Sequence, residues 1–294
     1  MRREAELGAG TNEPEREVSA REPESDARGT EGEQEVSVIA PDWPAPARVR
    51  CAFTLRTGGV SAAPYDSLNL GAHVGDAADA VQENRRRVWE SLKLPAEPVW
   101  LQQVHGADVV DLDVLEGRSQ DSAQPSSGVM HSGPGVSADA AVTRTPGRVC
   151  VIQVADCMPV LFAARDGSAV GAAHAGWRGL AGGVLEQTVR ALGVAPADLV
   201  VWLGPTISQQ HFEVGDDVRG AFMSSDSGAS SAFVANTRGR WQCDLYALAR
   251  RRLAMLGVSE VFGGGWCTYA DAARFFSFRR DSQCGRMAAL IWLE

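Results

Sequence analysis

Only five histidines and six cysteines occur in 294 residues, and three of these eleven sit in segments built of small or rigid neighbours. His105 lies in WLQQVHGADVV, Cys157 in VIQVADCMPVLF and His174 in VGAAHAGWRGLAGG. Two imidazoles and one thiolate match a catalytic zinc, which takes three protein ligands and keeps a fourth position open. The same set suits blue copper, which adds a weak axial methionine. Met158 adjoins Cys157, but neighbours on a strand point to opposite faces, so it is a poor axial ligand. The three residues equally suit nucleophilic catalysis, with Cys157 attacking and His105 or His174 as base. Spacing alone does not separate ligand from nucleophile.

Each residue also has a plainer reading. His174 precedes Gly176, Trp177, Arg178 and Gly179. A helix starting near residue 180 would aim its free N–H groups at this turn, with Arg178 adding donors for an anion. Alone, His174 equally reads as a core histidine before a tight turn. Asp156 beside Cys157 ends a buried strand and needs a partner. Orienting a metal-bound histidine is one role for it; capping a turn beside an inert thiol is the other. His105 carries weight only in company with the other two.

Three further polar clusters bear on a site. Residues 54–76 form a long Gly- and Asn-bearing stretch that offers Arg56 and Asn69 for binding. SADAAVTR sets Asp139 before a strand, and FFSFRRD carries Arg279 and Arg280. Arg56, Arg178 and Arg279 are candidates to hold a phosphate and neutralise charge building on it. HFE at 211–213 mimics the HxE of zinc deaminases but lacks the PCxxC that completes them. HExxH, the P-loop and GxSxG are absent.

The elements that must position these residues follow from apolar periodicity. Residues 81–93 have helical spacing. Residues 99–104 and 109–115 alternate like half-buried strands. Residues 148–155, 159–164, 168–175, 199–205, 274–281 and 286–294 read as further strands. Residues 180–194 read as a helix stopped by Gly193, and 243–258 as one stopped by Gly257. The expected fold class is α/β (α+β), a layered single domain around a mixed β-sheet, spanning residues 38–294. Residues 1–36, rich in Glu, Arg, Ser, Gly and Pro, read as a disordered tail. Residues 116–137 read as a long loop insertion, which discounts His131 as a ligand, and 223–232 as another loop.

Residues 1–40 hold 11 Asp and Glu against five Arg, so two-thirds of the formal net charge of −9 lies there. The body therefore has no basic excess with which to grip nucleic acid. No apolar run of about 18 residues indicates a membrane span. Scattered cysteines without a CxxC pair, and no apolar leader segment, point to the cytoplasm.

Taken in order, RTGGVSAAPYDSLNLGAHVGD, ENRRRV, WLQQVHGADV, ADAAVT, VADCMPVLF, AAHAGWRGL, GPTISQQHFEVGDDV, CTYAD and FFSFRRDSQCGRMAALIWL resemble one known family. It has long been labelled multicopper polyphenol oxidase or laccase-like. It is now regarded as a family of purine nucleoside phosphorylases and adenosine deaminases, also called peptidoglycan editing factors. The sequence departs from the usual pattern in VADC, GPTIS and QCGR, none of which removes a proposed ligand.

The resemblance implies that His105, Cys157 and His174 converge on a metal, Zn2+ with Cu2+ as the alternative. It implies a layered α/β fold and small-molecule partners: phosphate with adenosine, inosine, guanosine or 5′-methylthioadenosine. Arg56 joins the catalytic set; Asn69, Arg178 and Arg279 are expected at the substrate. The competing expectation is a hydrolase that removes a wrong amino acid from a nucleotide-linked cell-wall precursor with the same Cys/His set. A third is a non-catalytic zinc or copper protein. Phenol oxidation ranks last, because it normally needs more histidines than five.

Overall fold

The apolar runs of the sequence become strands of two stacked sheets in the computed structural model, which describes residues 35–117 and 135–294. The expected tail over 1–36 and insertion over 116–137 lie almost wholly outside the described residues, as does His131.

The first sheet is antiparallel, in the order β1 (Val38–Ile39), β2 (Val49–Thr54), β13 (Met287–Leu293) and β5 (Val149–Val154). The second has six strands: β12 (Glu260–Gly263), β8 (Leu199–Leu203), β6 (Met158–Ala164), β7 (Val170–Ala175), β4 (Ala140–Thr143) and β3 (Val109–Asp111). Its end pairs, β12–β8 and β3–β4, are parallel and the rest antiparallel, so this is the expected mixed sheet. A small third sheet joins β10 (Phe233–Ala235), β11 (Trp241–Cys243) and β9 (Glu213–Val214).

Period-two alternation explains the layering. On β6, Val160 and Phe162 face one core while Leu161 and Ala163 face another. The second core lies between the sheets, where Leu161 and Trp202 meet Phe53, Ile152 and Ile291. The first lies under α2 (Trp177–Gly182), α3 (Val184–Leu192), α4 (Asp216–Met223) and α5 (Leu245–Leu256). On the outer face of the antiparallel sheet, Val151 and Leu290 pack with Val88 of α1 (Ala78–Leu92). Each fully buried Leu or Ile stabilises the fold by roughly 2 kcal/mol. No helix among the described residues is long and apolar enough to cross a membrane.

Five segments differ from expectation. Residues 99–104 form no strand and make one isolated bridge, Gln102 to Ser137. The Gln103 side chain pairs with the backbone of Gln153 instead, donating to its carbonyl at 2.8 Å and accepting its N–H at 2.7 Å. The strand over 109–115 stops at Asp111 and continues as a 3-10 turn over Leu112–Gly117. There Asp113 turns in to accept the Thr143 hydroxyl.

Residues 274–281 are not a strand. Phe275 and Phe276 are both fully buried, which breaks the alternation. Ser277 then caps a short helix, α6 (Phe278–Asp281), by accepting the Arg280 N–H. Residues 223–232 hold a 3-10 turn, Ser227–Ala232, capped by Asp226.

The helix expected over 180–194 is two helices, broken at Gly183, whose φ of +95° only glycine adopts freely. Gly183→Ala is expected to destabilise the protein by about 1 kcal/mol. Urea unfolding checks this; an unchanged midpoint would show that the bend does not depend on glycine.

Candidate metal centre

β7 carries His174 one residue from its C-terminal end, and Cys157 immediately precedes β6, the neighbour of β7. His105 sits in the turn before β3, with a left-handed φ of +61° that is uncommon for a residue other than glycine. The ligand atoms of the three residues all lie within 4.8 Å of one another. Cys157 Sγ is 3.9 Å from His105 Nε2, and the two imidazole rings meet edge to face with centroids 4.8 Å apart.

The residue that holds this cluster is Asp139, completely buried just before β4. One carboxylate oxygen accepts the His105 N–H at 2.9 Å; the other accepts those of Val104 at 3.2 Å and Gly106 at 2.6 Å. The first oxygen also meets His174 Nδ1 at 2.8 Å. The His174 N–H donates to the Asp139 carbonyl at 2.7 Å. One side chain therefore fixes both the turn bearing one histidine and the ring of the other. With Nδ1 engaged, His174 keeps Nε2 for a ligand, the usual arrangement of a metal-bound histidine.

Gly176 leaves room for the cluster. A β-carbon there would lie 2.8 Å from Cys157 Sγ and 3.3 Å from His105 Cδ2. The small-residue run around His174 is thus a requirement of close approach.

Burial pushes the Cys157 thiol up, but the charge of His174 and the hydrogen bond to His105 outweigh it and bring it to about 6. Burial likewise lowers His174, while the Cys157 thiolate and Asp139 raise it above its ordinary value. Burial raises the Asp139 carboxyl, but the His174 hydrogen bond and the Gly106 N–H hold it below the usual range. Both shifts favour a thiolate beside a protonated imidazole when no metal is bound. The cluster is a donor set of two nitrogens and one sulfur, ready to exchange the His174 proton for a cation. This chemistry fits zinc, and the softness of the thiolate also fits copper. His105, Cys157 and His174 would hold the ion.

A pH-dependent reaction reports the state of Cys157. In metal-free protein its alkylation is expected to be half-maximal near pH 6, against about 8.5 for an ordinary thiol. The rate falls as pH drops through that value because the thiolate is consumed. Zinc is expected to suppress the reaction, read by mass mapping of the alkylated peptide. A midpoint near 8.5 would mean that the imidazoles do not act on this sulfur.

The other expected residues fall elsewhere. Asp156 does not orient a histidine. Its carboxylate accepts Thr268 Oγ1 at 2.6 Å, Ser277 Oγ at 3.0 Å and the Arg279 N–H at 2.7 Å, pinning two loops on the side away from the ligands. Its φ of +83° accompanies this reversal between adjacent residues. Arg56 donates to the Asp66 and Ala272 carbonyls and the Asp66 carboxylate, and lies over the Phe276 ring.

Asn69, expected at the substrate, is fully buried. Its Oδ1 accepts the N–H groups of Gly71 and Arg286, and its Nδ2 donates to Gly71 and Asp76, so its polar atoms serve the fold. Arg279 donates to the Glu213 carbonyl and lies over Phe212. Arg178 is exposed in the first turn of α2 with its guanidinium over Trp177, which leaves its donors the most available.

Sequence reasoning passed over His73. Burial lowers its pKa, and the charges of Arg286, Arg85, His105 and His174 lower it further, so it stands within electrostatic reach of both ligand histidines. The signal available was only its place in GAHVGD.

Residues 50–294 match the family described as multi-copper polyphenol oxidoreductase laccase. The chain belongs to this family. Among its laccase-like relatives, a protein of Pseudomonas aeruginosa named purine nucleoside phosphorylase is 52% identical over 87% of this chain and 98% of its own. The Escherichia coli protein named purine nucleoside phosphorylase YfiH is 49% identical over 87% and 98%. A crystal structure of a Neisseria meningitidis protein has a TM-score of 0.79 at 46% identity, covering 87% of this chain and 99% of its own. YlmD of Geobacillus stearothermophilus has a TM-score of 0.76 at 32% identity, covering 89% and 99%. The fold is therefore shared with these solved structures over most of the described domain.

Proposed function

We propose that this chain is a purine nucleoside phosphorylase acting at the His105–Cys157–His174 centre, with residues 38–294 as its catalytic domain. The observation that carries the reading is that centre: three donors within 4.8 Å, oriented by a buried aspartate, in a chain whose relatives bear that name.

Phosphate attacks the anomeric carbon of the ribose, the C–N bond to the base breaks, and free purine and ribose 1-phosphate leave. Zinc is the metal of this reading, with copper second; when bound it supplies a Lewis acid that polarises an oxygen. Asp139 holds His174 in one tautomer and the 104–106 turn in one conformation, so the site does not reorganise during reaction. Arg178 offers a guanidinium to the phosphate. Arg279 and Arg56 remain further candidates for the phosphate in this reading, with their guanidinium groups engaged at the Glu213 carbonyl and at Asp66 and Ala272. The finer reading takes adenosine, inosine, guanosine and 5′-methylthioadenosine as substrates and adds deamination of adenosine by water at C6. Six unpaired thiols suit a reducing cytoplasm.

Inosine incubated with and without phosphate tests the reaction. Hypoxanthine is expected only with phosphate, alongside ribose 1-phosphate. Base release indifferent to phosphate would sink the phosphorylase reading. Ammonia from adenosine, measured separately, tests the deaminase.

One observation favours a second reading. A cysteine sulfur 3.9 Å from an imidazole nitrogen is also the equipment of a cysteine hydrolase. On that reading Cys157, with His105 or His174, removes a wrong amino acid from a nucleotide-linked cell-wall precursor. Release of serine from a serine-bearing precursor, without turnover of inosine, would select it.

A further inference from the structure

A second cysteine and a third histidine, 56 residues apart in sequence, meet in this fold. Cys267 Sγ lies 3.4 Å from His211 Nδ1. Ser208 Oγ lies 3.2 Å from the same nitrogen. The N–H groups of Ser208 and Ala270 both donate to Cys267 Sγ at 3.4 Å. The His211 ring stacks on Tyr269, with centroids 4.6 Å apart.

Backbone pairing sets this arrangement. Thr206 bridges Cys267, and the Thr268 N–H donates to the Thr206 carbonyl at 3.1 Å. The Tyr246 hydroxyl ties the two segments together at the Gly204 and Trp266 carbonyls. The turn over 208–211 then swings His211 onto the sulfur.

Cys267 also lines a cleft of about 440 Å³ with Trp266, Ala270, Asp271 and Arg274. None of His105, Cys157 or His174 lines it. The cleft therefore exposes a thiol with a base at hydrogen-bonding range and two donors ready to stabilise the anion. That is the environment of a reactive cysteine.

Outside the His105–Cys157–His174 centre, the remaining thiols lack it. Cys150, Cys243 and Cys284 are buried. Cys51 is half-buried, and burial pushes it up to about 11. The two backbone donors are engaged by the sulfur itself, so the chemistry that fits is capture of a soft electrophile by that sulfur.

We propose that Cys267, with His211 as its base, is a thiol–disulfide exchange site that takes a small-molecule disulfide from the cleft and holds one half of it. His211 accepts the Cys267 proton. The thiolate attacks one sulfur of the disulfide, a new S–S bond to Cys267 forms, and the original S–S bond breaks. The other half leaves as a thiolate. Cys267 is oxidised as the departing half is reduced, so no other oxidant enters, and a free thiol reverses the step.

The full chain, with one equivalent of zinc to cover Cys157, is treated at neutral pH with oxidised glutathione. Mixed disulfides are mapped by mass against time. The adduct is expected on Cys267 at least about tenfold faster than on Cys51, and dithiothreitol is expected to remove it. His211→Gln is expected to slow Cys267 by on the order of 10²-fold and to leave Cys51 unchanged. Equal rates at Cys267 and Cys51 in the unsubstituted protein would overturn the proposal, whatever the folding of the variant. Protection of Cys267 by the zinc would also overturn it, because the pair would then be a metal site.

Discussion

His174→Ala is expected to lower phosphate-dependent release of hypoxanthine by roughly 10³-fold and to strip the protein of its metal. The reason is geometric. His174 is 3% exposed and supplies the one ligand whose ring is fixed by a buried carboxylate. No other described histidine is placed to replace it in the cluster. The turn bearing His105 should survive, because Asp139 still accepts three backbone N–H groups there. A folded but inactive protein is therefore the expected outcome. Metal analysis, circular dichroism and turnover of inosine check it together. Retained activity in a folded His174→Ala protein would remove the metal-centre reading.

Asp139→Asn is expected to damage both site and fold. Every carboxylate oxygen of Asp139 faces a donor: His105 and His174 on one side, Val104 and Gly106 on the other. An amide must turn its own N–H groups toward one of these sides, which sets donor against donor in a buried place. The expected destabilisation is about 3 kcal/mol, with metal affinity down about 10- to 100-fold.

The pH dependence carries the sign. Asp139 has a depressed folded pKa, so its stabilisation is present above the unfolded value of about 3.9 and is lost as pH falls through the folded value. The variant should therefore lose less stability than the native protein between neutral pH and pH 3. Urea titrations at the two pH values measure this. Parallel losses in both proteins would show that Asp139 is not the group responsible.

The three candidate ligands were legible as a set because scarce residue types stood among small neighbours, and the fold brings them within 4.8 Å of one another. Their orienting group was not. Asp156 was the natural choice by adjacency to Cys157, but consecutive residues diverge, and its carboxylate serves Thr268, Ser277 and Arg279. Asp139 was visible only as an acid before a strand. It lies 35 residues from His174 in sequence, and the antiparallel register of Ala140 with Ala173 brings the two together. Asn69 misled for a related reason. A polar residue in a glycine-bearing loop reads as exposed, whereas this one is buried and its hydrogen bonds hold Gly71 and Arg286.

Most strands and helices were readable because alternation and glycine stops are local properties. The failures came where one long-range contact overrides local pattern. Gln103 spends its amide on Gln153, so 99–104 forms no strand. Asp156 and Ser277 draw 277–281 into a helical turn.

By itself, the sequence determined most of the strand and helix periodicities and singled out His105, Cys157 and His174 as the candidate chemical residues, which the fold brings together. It could not reveal that two sheets stack where one was expected, that Asp139 rather than Asp156 orients the centre, or that Cys267 meets His211. Each of these depends on strand register and loop closure between residues tens of positions apart. Local residue pattern does not encode those distances, and the packed core decides them.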